Sequence, residues 1–389
     1  MNKDASQFLI EHKEKIVLAM DILQKGCEVL SHVVEDVFPV VSMIAPFVEL
    51  AMGNVESAEA KYVKEQLGQV KDTLSDISEQ VKDINRELEK SFIDIKYFKI
   101  EVRFELLFDK LMDISKAKPG SVKVQERFLD AYRYGEKSVE DNLEILYNDV
   151  MGTDKESILE TALNYMKRDR RALEKYFTYL LQLMYFGVIV TMAYRTLTKE
   201  PYKEFEENWC SRIAEVQTKM KELIDECINS FPEQAKIDLQ LCIRKRGDKS
   251  NHDLVEELLE LLKNKYDWVS WFVCAVEINT SFYSCFCNES FHHEIGCNIL
   301  TFPEDSGTVV VTSYSSQPKN IDKLKVQQLM KKRMKNHAEA IATIIHDDLP
   351  GHVVLVVRQN KECDYAYSFT DDTFYLGNYK QFSVCIHSD

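Results

Sequence analysis

Five side chains that can bind a metal or form disulfides lie close together: Cys285, Cys287, His292, His293 and Cys297. Thiolates and imidazoles are ligands that zinc prefers, but structural zinc sites separate paired cysteines by about two to four residues and histidines by about three to five. In this sequence one residue separates the first two cysteines, and the histidines are adjacent. We therefore expect free thiols and surface histidines, with disulfides and zinc as the alternatives, and we predict no bound metal or cofactor.

Catalytic motifs are missing from the sequence. It contains no nucleotide-binding glycine loop, no H-E-x-x-H helix and no G-x-S-x-G elbow. We therefore expect a binding function and no enzymatic activity or catalytic residues.

A basic segment lies within a predicted helix from Ile321 to Ile345 that also carries an apolar stripe. A basic amphipathic helix can lie on anionic lipid or dock on an acidic protein partner, and the alternative is a solvated face of a helix packed on a sheet. The predicted lipid or partner contacts are Lys325, Lys331, Lys332, Arg333 and Lys335.

The longest uncharged segment covers residues 176–194 and is flanked by Lys175 and Arg195. Its nineteen residues nearly reach the roughly twenty that a membrane-spanning helix needs, and tyrosines near its ends are typical of interfacial anchors. Three interpretations remain open: a buried central helix, a helix that inserts conditionally, and a constitutive span. The predicted membrane-inserting residues are Leu180, Leu183, Phe186, Gly187, Ile189 and Met192.

A second uncharged stretch, residues 37–48, contains Pro39 and Pro46 and is too short to span a membrane as a straight helix. It is predicted to form a buried corner between helices or, alternatively, to insert beside the 176–194 helix. Its candidate inserting residues are Phe38, Val41, Ile44 and Phe47.

The elements that must position these segments are mostly helices. Twelve glycines and eight prolines in 389 residues are few, which favours long uninterrupted elements. Residues 1–266 are predicted to form an elongated long-helix bundle, like those of α-helical pore-forming toxins, with buried hydrophobic segments at 37–52 and 176–194. Short β-branched and aromatic runs follow, and residues 267–389 are therefore predicted to form a smaller, cysteine-rich α+β domain. The fold class is mainly α.

A heptad pattern runs from Val63 to Leu88, inside a segment, 54–118, where a single helix of up to about sixty residues is allowed. Two apolar series with a spacing of seven are typical of a coiled coil. The favoured interpretation is antiparallel packing inside the chain's own bundle, and the alternative is a homo-oligomer. The two series are Val63, Val70, Ile77 and Ile84, and Leu67, Leu74, Val81 and Leu88.

The net charge of −15 repels polyphosphate and argues against nucleic acid as a partner. The first ten residues lack the apolar core of a secretory signal peptide, so we expect a cytoplasmic, membrane-associated protein.

Several segments carry a resemblance to a known family. FPVVSMIAPFVELAMGNVESAEAKYVKEQ at 38–66, MDISKAKP at 112–119, NLEILYNDVMG at 142–152 and the RRALEKYF entry to the uncharged helix resemble the rapunzel family of fish proteins. The likeness covers about residues 5–200. Rapunzel proteins look related to the cephalotoxins, and the resemblance implies a helical, membrane-associated protein and supplies no catalytic residues.

Together these features predict a non-enzymatic, membrane-associating or pore-forming protein that exposes buried apolar helices conditionally. The alternative is a cytosolic scaffold that uses its heptads and its basic helix. The expected partner is an anionic membrane surface or another protein.

Overall fold

The computed structural model describes residues 2–14, 17, 44–53, 58–87, 95–117, 121–153, 155–278, 292–304, 307–332, 336–359 and 363–389. The chain divides into two compact units, Met1–Ser230 and Phe231–Asp389. The first is helical throughout its described residues, and the second combines helices with two sheets. The predicted fold class, mainly α with a smaller α+β part, is confirmed.

Nine helices are described in the first unit. They are α1 (Asn2–Glu11), α2 (Ile44–Gly53), α3 (Ala58–Glu87), α4 (Ile95–Lys116), α5 (Val122–Arg133), α6 (Val139–Met151), α7 (Ile158–Tyr165), α8 (Arg170–Thr198) and α9 (Lys203–Asn229).

Helices α3 and α4 form an antiparallel pair. Ser78 Oγ donates to Glu101 Oε1 at 2.6 Å, and Lys64 Nζ, nearer the start of α3, donates to the Ser115 carbonyl near the end of α4 at 3.0 Å. Contacts whose residue numbers rise on one helix and fall on the other require antiparallel axes. The single helix of about sixty residues allowed by the sequence is therefore corrected to a pair, because its second half folds back on the first.

The apolar periodicity also predicts helices over 122–151 and over 154 to about 197, and the structure divides both. Ser138 and Asp141 form a reciprocal capping box that starts α6, so 122–151 is two helices. Lys167 and Arg168 adopt positive φ of 49° and 55°, and Asp169 then caps α8 by accepting from the Ala172 amide. Helix 154–197 is accordingly interrupted before the apolar segment begins.

The core of the first unit surrounds α8, which contacts α2, α3, α4, α6 and α9. The heptad residues Leu67, Leu74 and Val81 are fully buried in this core. Their burial is the packing expected of the intramolecular interpretation. Leu88 lies outside the described residues.

The second unit begins with two helices, α10 (Phe231–Arg244) and α11 (Asn251–Lys265). Two four-stranded antiparallel sheets follow, one in the order β3-β4-β1-β6 and the other in the order β2-β5-β8-β7. The remaining elements are β1 (Val269–Ile278), β2 (His292–Ile295), β3 (Ile299–Pro303), β4 (Gly307–Ser315), α12 (Lys323–Lys331), α13 (Ala338–Asp348), β5 (His352–Arg358), β6 (Cys363–Phe369), β7 (Tyr375–Tyr379) and β8 (Phe382–Ser388).

Strand β1 shows how the layers stack. Trp271 and Val273 belong to the core formed with α10 and α11, whereas Phe272 and Cys274 belong to the core shared with β5 and β8. Alternate side chains of a strand point to opposite faces, so the first sheet is covered on both sides. Helices α12 and α13 cover the outer face of the second sheet.

The structure places the division between units after Ser230, whereas the sequence placed it after Tyr266. The reason is that α10 and α11 bury their apolar faces against β1 and β4. A helical pattern alone does not indicate whether its apolar face packs on helices or on a sheet.

Candidate membrane-inserting helix and basic surface

Helix α8 is the one helix among the described residues that is long and apolar enough to cross a membrane, judged by length and composition. Its most apolar eighteen-residue window has a mean hydropathy of 1.5 and is completely buried inside the protein. All six predicted inserting residues of this helix, Leu180, Leu183, Phe186, Gly187, Ile189 and Met192, lie in this buried part. In this conformation α8 is the central helix of a folded unit, and none of these side chains is available to lipid.

Both ends of α8 are held by charged contacts with neighbouring helices. Arg168, just before the helix, pairs with Glu226 of α9 at 2.9 Å. Arg195, in the last turn, pairs with Glu140 of α6 at 2.9 Å and lies over the Phe205 ring of α9. Surface ion pairs are each worth about 1 kcal/mol or less. Release of α8 would break both contacts.

Gly187 lies where neighbouring helices approach the centre of α8 closely. A Cβ atom added there would lie 2.5 Å from Leu143 Cδ2 of α6 and 2.7 Å from Phe104 Cε2 of α4. The ring of the preceding residue, Phe186, lies 4.5 Å from that of Phe108, measured between ring centres. Close packing in the bundle thus requires a residue without a side chain at position 187.

The buried carboxylate of Glu101 joins the three helices α3, α4 and α8. Glu101 of α4 is only 4% exposed and accepts from Ser78 of α3 at 2.6 Å and from Tyr179 of α8 at 2.8 Å. Lys82 Nζ of α3 lies 3.9 Å from the same carboxylate. Burial, followed by the charge of Glu101, raises the pKa of Tyr179, so its hydroxyl remains a donor. A buried carboxylate needs such partners, because desolvation of an unpaired charge is costly.

Other polar groups of α8 are also paired inside the bundle. The Tyr132 hydroxyl of α5 donates to Thr191 at 3.1 Å, and Thr191 donates to the Gly187 carbonyl at 2.8 Å. Burial raises the pKa of Tyr185, whose hydroxyl lies beside Gln217 of α9. The hydroxyls of Tyr179 and Thr191, which interrupt the apolar character of α8, therefore have specific partners in the folded unit.

The second predicted inserting segment is described only from Ile44. Ile44 and Phe47 are buried in α2, which packs against α8. Pro46 lies in the first turn, where a missing amide donor costs no helical hydrogen bond. Phe38 and Val41 lie outside the described residues.

The predicted basic helix is corrected to two helices, α12 and α13. Lys332 adopts an extended conformation after α12, and α13 begins at Ala338. The apolar stripe is covered, because Ala338, Ile341 and Ile345 pack on the second sheet. A free amphipathic helix is therefore excluded in this conformation.

The charged side of this segment remains accessible. Lys325, Lys331 and Lys332 are exposed, and Lys332 lies 3.6 Å from Asp348. Arg333 and Lys335 lie outside the described residues. The exposed lysines form a solvated basic surface.

The cysteine and histidine group is partly described, since Cys285 and Cys287 lie outside the described residues. His292 and His293 are neighbours on β2, and Cys297 is exposed in the following turn. Successive side chains of a strand point to opposite faces, so the two imidazoles cannot readily share one ion. Within the described ranges no three histidine, cysteine or acidic side chains are placed to hold a metal.

We expect protein purified without chelator to contain less than stoichiometric zinc. The physical reason is the strand placement of His292 and His293, which separates the two imidazoles. Elemental analysis measures this directly. One zinc per chain that disappears in a Cys285→Ser variant, but persists in a Cys242→Ser control, would contradict the prediction.

Sequence reasoning missed Glu101, the central polar residue of the site. A signal was present: Glu101 lies four residues after Tyr97 and three before Phe104, on the apolar face of α4. A charged residue at such a position predicts a buried polar contact, but its partners on α3 and α8 require the tertiary structure.

Comparison with known proteins matches the chain to a family model and to a curated protein, and to no solved structure. Residues 53–247 of the 389 match the family model described as the cephalotoxin-like middle helical domain. Protein rapunzel of Danio rerio is 28% identical over 145 residues, which are 36% of this chain and 63% of the relative. The chain therefore spans less than two thirds of that relative.

Proposed function

Because the chain belongs to the cephalotoxin-like family, we propose that it is a non-enzymatic protein that stores α8 in its core and inserts it on contact with an anionic membrane. The observation that carries the proposal is α8 itself, a 29-residue helix whose eighteen-residue apolar window is completely buried in the folded unit. Exposed in water, such a helix would be unstable, whereas in hydrocarbon its apolar surface is solvated and its backbone bonds are satisfied internally.

The exposed lysines on and after α12 supply the first contact with lipid in this proposal. Each lysine near an anionic surface contributes about 1 kcal/mol of attraction. The protein's net charge of −15 opposes adsorption elsewhere, so a local basic surface would orient the protein.

The test uses liposomes that contain a photoreactive lipid and an encapsulated dye. We expect the full chain to bind anionic liposomes, release dye and form lipid adducts within residues 176–194, because an inserted α8 contacts acyl chains. Adducts confined to the α12 surface would indicate surface binding without insertion. A folded protein that neither binds nor permeabilises anionic liposomes would contradict the proposal and leave the scaffold function.

A chemical crosslink that holds α8 against α6 provides a matched control. Arg195→Cys with Glu140→Cys places two thiols where an ion pair joins α8 to α6, and a bifunctional thiol reagent of similar reach can bridge them. We expect the bridged protein to bind liposomes without dye release and the unbridged double variant to release dye. Equal release from both forms would show that α8 stays in place.

A charge reversal separates approach from insertion. Lys331→Glu with Lys332→Glu removes two exposed cations of the second unit and leaves the core around α8 untouched. We expect weaker binding to anionic liposomes, by about tenfold or more, with an unchanged melting temperature. Zwitterionic liposomes are the control, since the wild type and the variant should bind them equally.

A further inference from the structure

Helix α4 carries an apolar stripe on its outer face. Phe98, Val102 and Leu106 follow one another at intervals of four residues, and 48%, 49% and 51% of their surfaces are exposed. Residues at this spacing lie on one side of a helix. Single exposed apolar side chains are common on soluble proteins, but three in line on one helix form a continuous surface.

Residues of opposite charge flank the centre of this α4 stripe. Lys99, which is exposed, lies three residues before Val102, and Glu105, which is partly exposed, lies three residues after it. Positions three residues apart share one side of a helix, so both charges border the stripe. Farther along, Asp109 and Asp113 are accompanied by Lys71 and Lys110 and add no single sign of charge.

We propose that the α4 stripe is a two-fold interface through which two copies of this chain pair with their α4 helices antiparallel. In that arrangement Val102 meets its own equivalent at the centre, and Lys99 of each copy lies opposite Glu105 of the other. A surface with this pattern is self-complementary, as a two-fold interface requires. A parallel arrangement would place like charges together.

This surface replaces the one that the heptad pattern suggested for self-association. Leu67, Leu74 and Val81 are buried around α8 and are not available to a second chain in this fold. The opposite side of α4 also touches α8, through the Glu101 contact with Tyr179. Pairing of two copies would therefore hold α4 against α8.

Three half-exposed side chains bury much less than the roughly 800 Å² per partner of a standard interface. We therefore expect a weak dimer that forms with rising protein concentration. The interface is independent of the proposed membrane function and is tested without lipid.

Sedimentation velocity over a wide concentration range tests the interface. We expect Val102→Glu to raise the dimer dissociation constant by at least about tenfold, because it places two like charges at the two-fold axis. Val122→Glu is the matched control, since Val122 is 60% exposed and belongs to α5 and not to the stripe. A wild type that stays monomeric, or equal loss in both variants, would overturn the proposal.

Cysteine crosslinking tests the antiparallel geometry. Val102→Cys should form a covalent dimer on mild oxidation, above the background that wild-type thiols give under the same conditions, and Val122→Cys should not. Phe98→Cys and Leu106→Cys should crosslink when mixed, and less when each is alone. An intramolecular disulfide between the thiol introduced by Val102→Cys and the native Cys27 would instead assign the stripe to residues 15–43 of the same chain and overturn the dimer.

Discussion

Replacing Gly187 by alanine is expected to destabilise the helical unit by about 1 to 3 kcal/mol, the usual cost of overpacking a dense core. The added methyl group would lie within 2.7 Å of side-chain carbons of Leu143 and Phe104. Both side chains are completely buried, so neither can move away without displacing further neighbours. Thermal unfolding followed by circular dichroism at 222 nm measures the loss.

Gly68→Ala is the matched control for this prediction. Gly68 also lies inside a helix, α3, but a Cβ added there meets no atom within 4 Å. Helix propensity favours alanine over glycine by about 1 kcal/mol, so this variant should be more stable than the wild type. If alanine lowers the stability at position 187 and raises it at position 68, the effect of core packing is separated from that of helix propensity. A stabilised Gly187→Ala variant would show that α8 is not packed as described.

The same contact decides which variants can report on membrane insertion. A charge at position 187 would penalise a helix in hydrocarbon by about 2.5 to 3.5 kcal/mol, but it would also fall between Leu143 and Phe104 in the soluble fold. Loss of dye release by Gly187→Arg would therefore follow from unfolding as readily as from failed insertion. The crosslink between positions 140 and 195 avoids this ambiguity, because both side chains lie at the end of the bundle and the core around Gly187 is left unchanged.

The sequence predicts the type of most elements but not where long helical patterns are interrupted. The residue pattern predicts three helices, near 201–231, 233–244 and 252–266, and four strands, at 268–278, 308–314, 353–358 and 382–386. The structure confirms them as α9, α10, α11, β1, β4, β5 and β8. The residue pattern does not predict the fold-back of α4 on α3, because both helices carry the same apolar spacing. The sequence does not predict the short strand β7 for a different reason: it contains no β-branched residue, and Gly377 and Asn378 separate its two tyrosines.

The structure shows α8 buried in the folded unit, and this burial is required both of a central bundle helix and of a helix that inserts conditionally. A helix of nineteen uncharged residues fits the core of a bundle and the interior of a bilayer equally well, since both surround the helix with apolar groups. What distinguishes the two is the set of partners, such as Glu101 for Tyr179 and Glu140 for Arg195. These partners lie 78 and 55 positions away along the chain, beyond the reach of local pattern.

The second unit should lose stability as the pH falls from about 6.5 to 4, and His387 should account for about 3 kcal/mol of that loss. His387 lies on β8 between the two sheets, with no exposed surface, and its ring is 4.9 Å from that of Phe272 and 5.2 Å from that of Tyr314. Burial lowers the pKa of His387 to about 4, and the nearby His352 acts in the same direction. The Ser388 carbonyl and Asp371 oppose the shift but do not cancel it.

The sign follows from proton uptake. Between pH 6.5 and 4 the unfolded chain binds a proton on this imidazole and the folded chain does not, so the stabilisation is complete above pH 6.5 and decreases as the pH falls toward 4.

His387→Phe keeps a ring between the same neighbours and removes the titration. Urea unfolding at several pH values, followed by hydrogen exchange in β5 and β8, should show a shallower acid loss in this variant than in the wild type. His252→Phe, at an exposed position on α11, should leave the wild-type slope unchanged. Parallel pH profiles of wild type and His387→Phe would mean that the imidazole titrates normally and that the space between the sheets admits water.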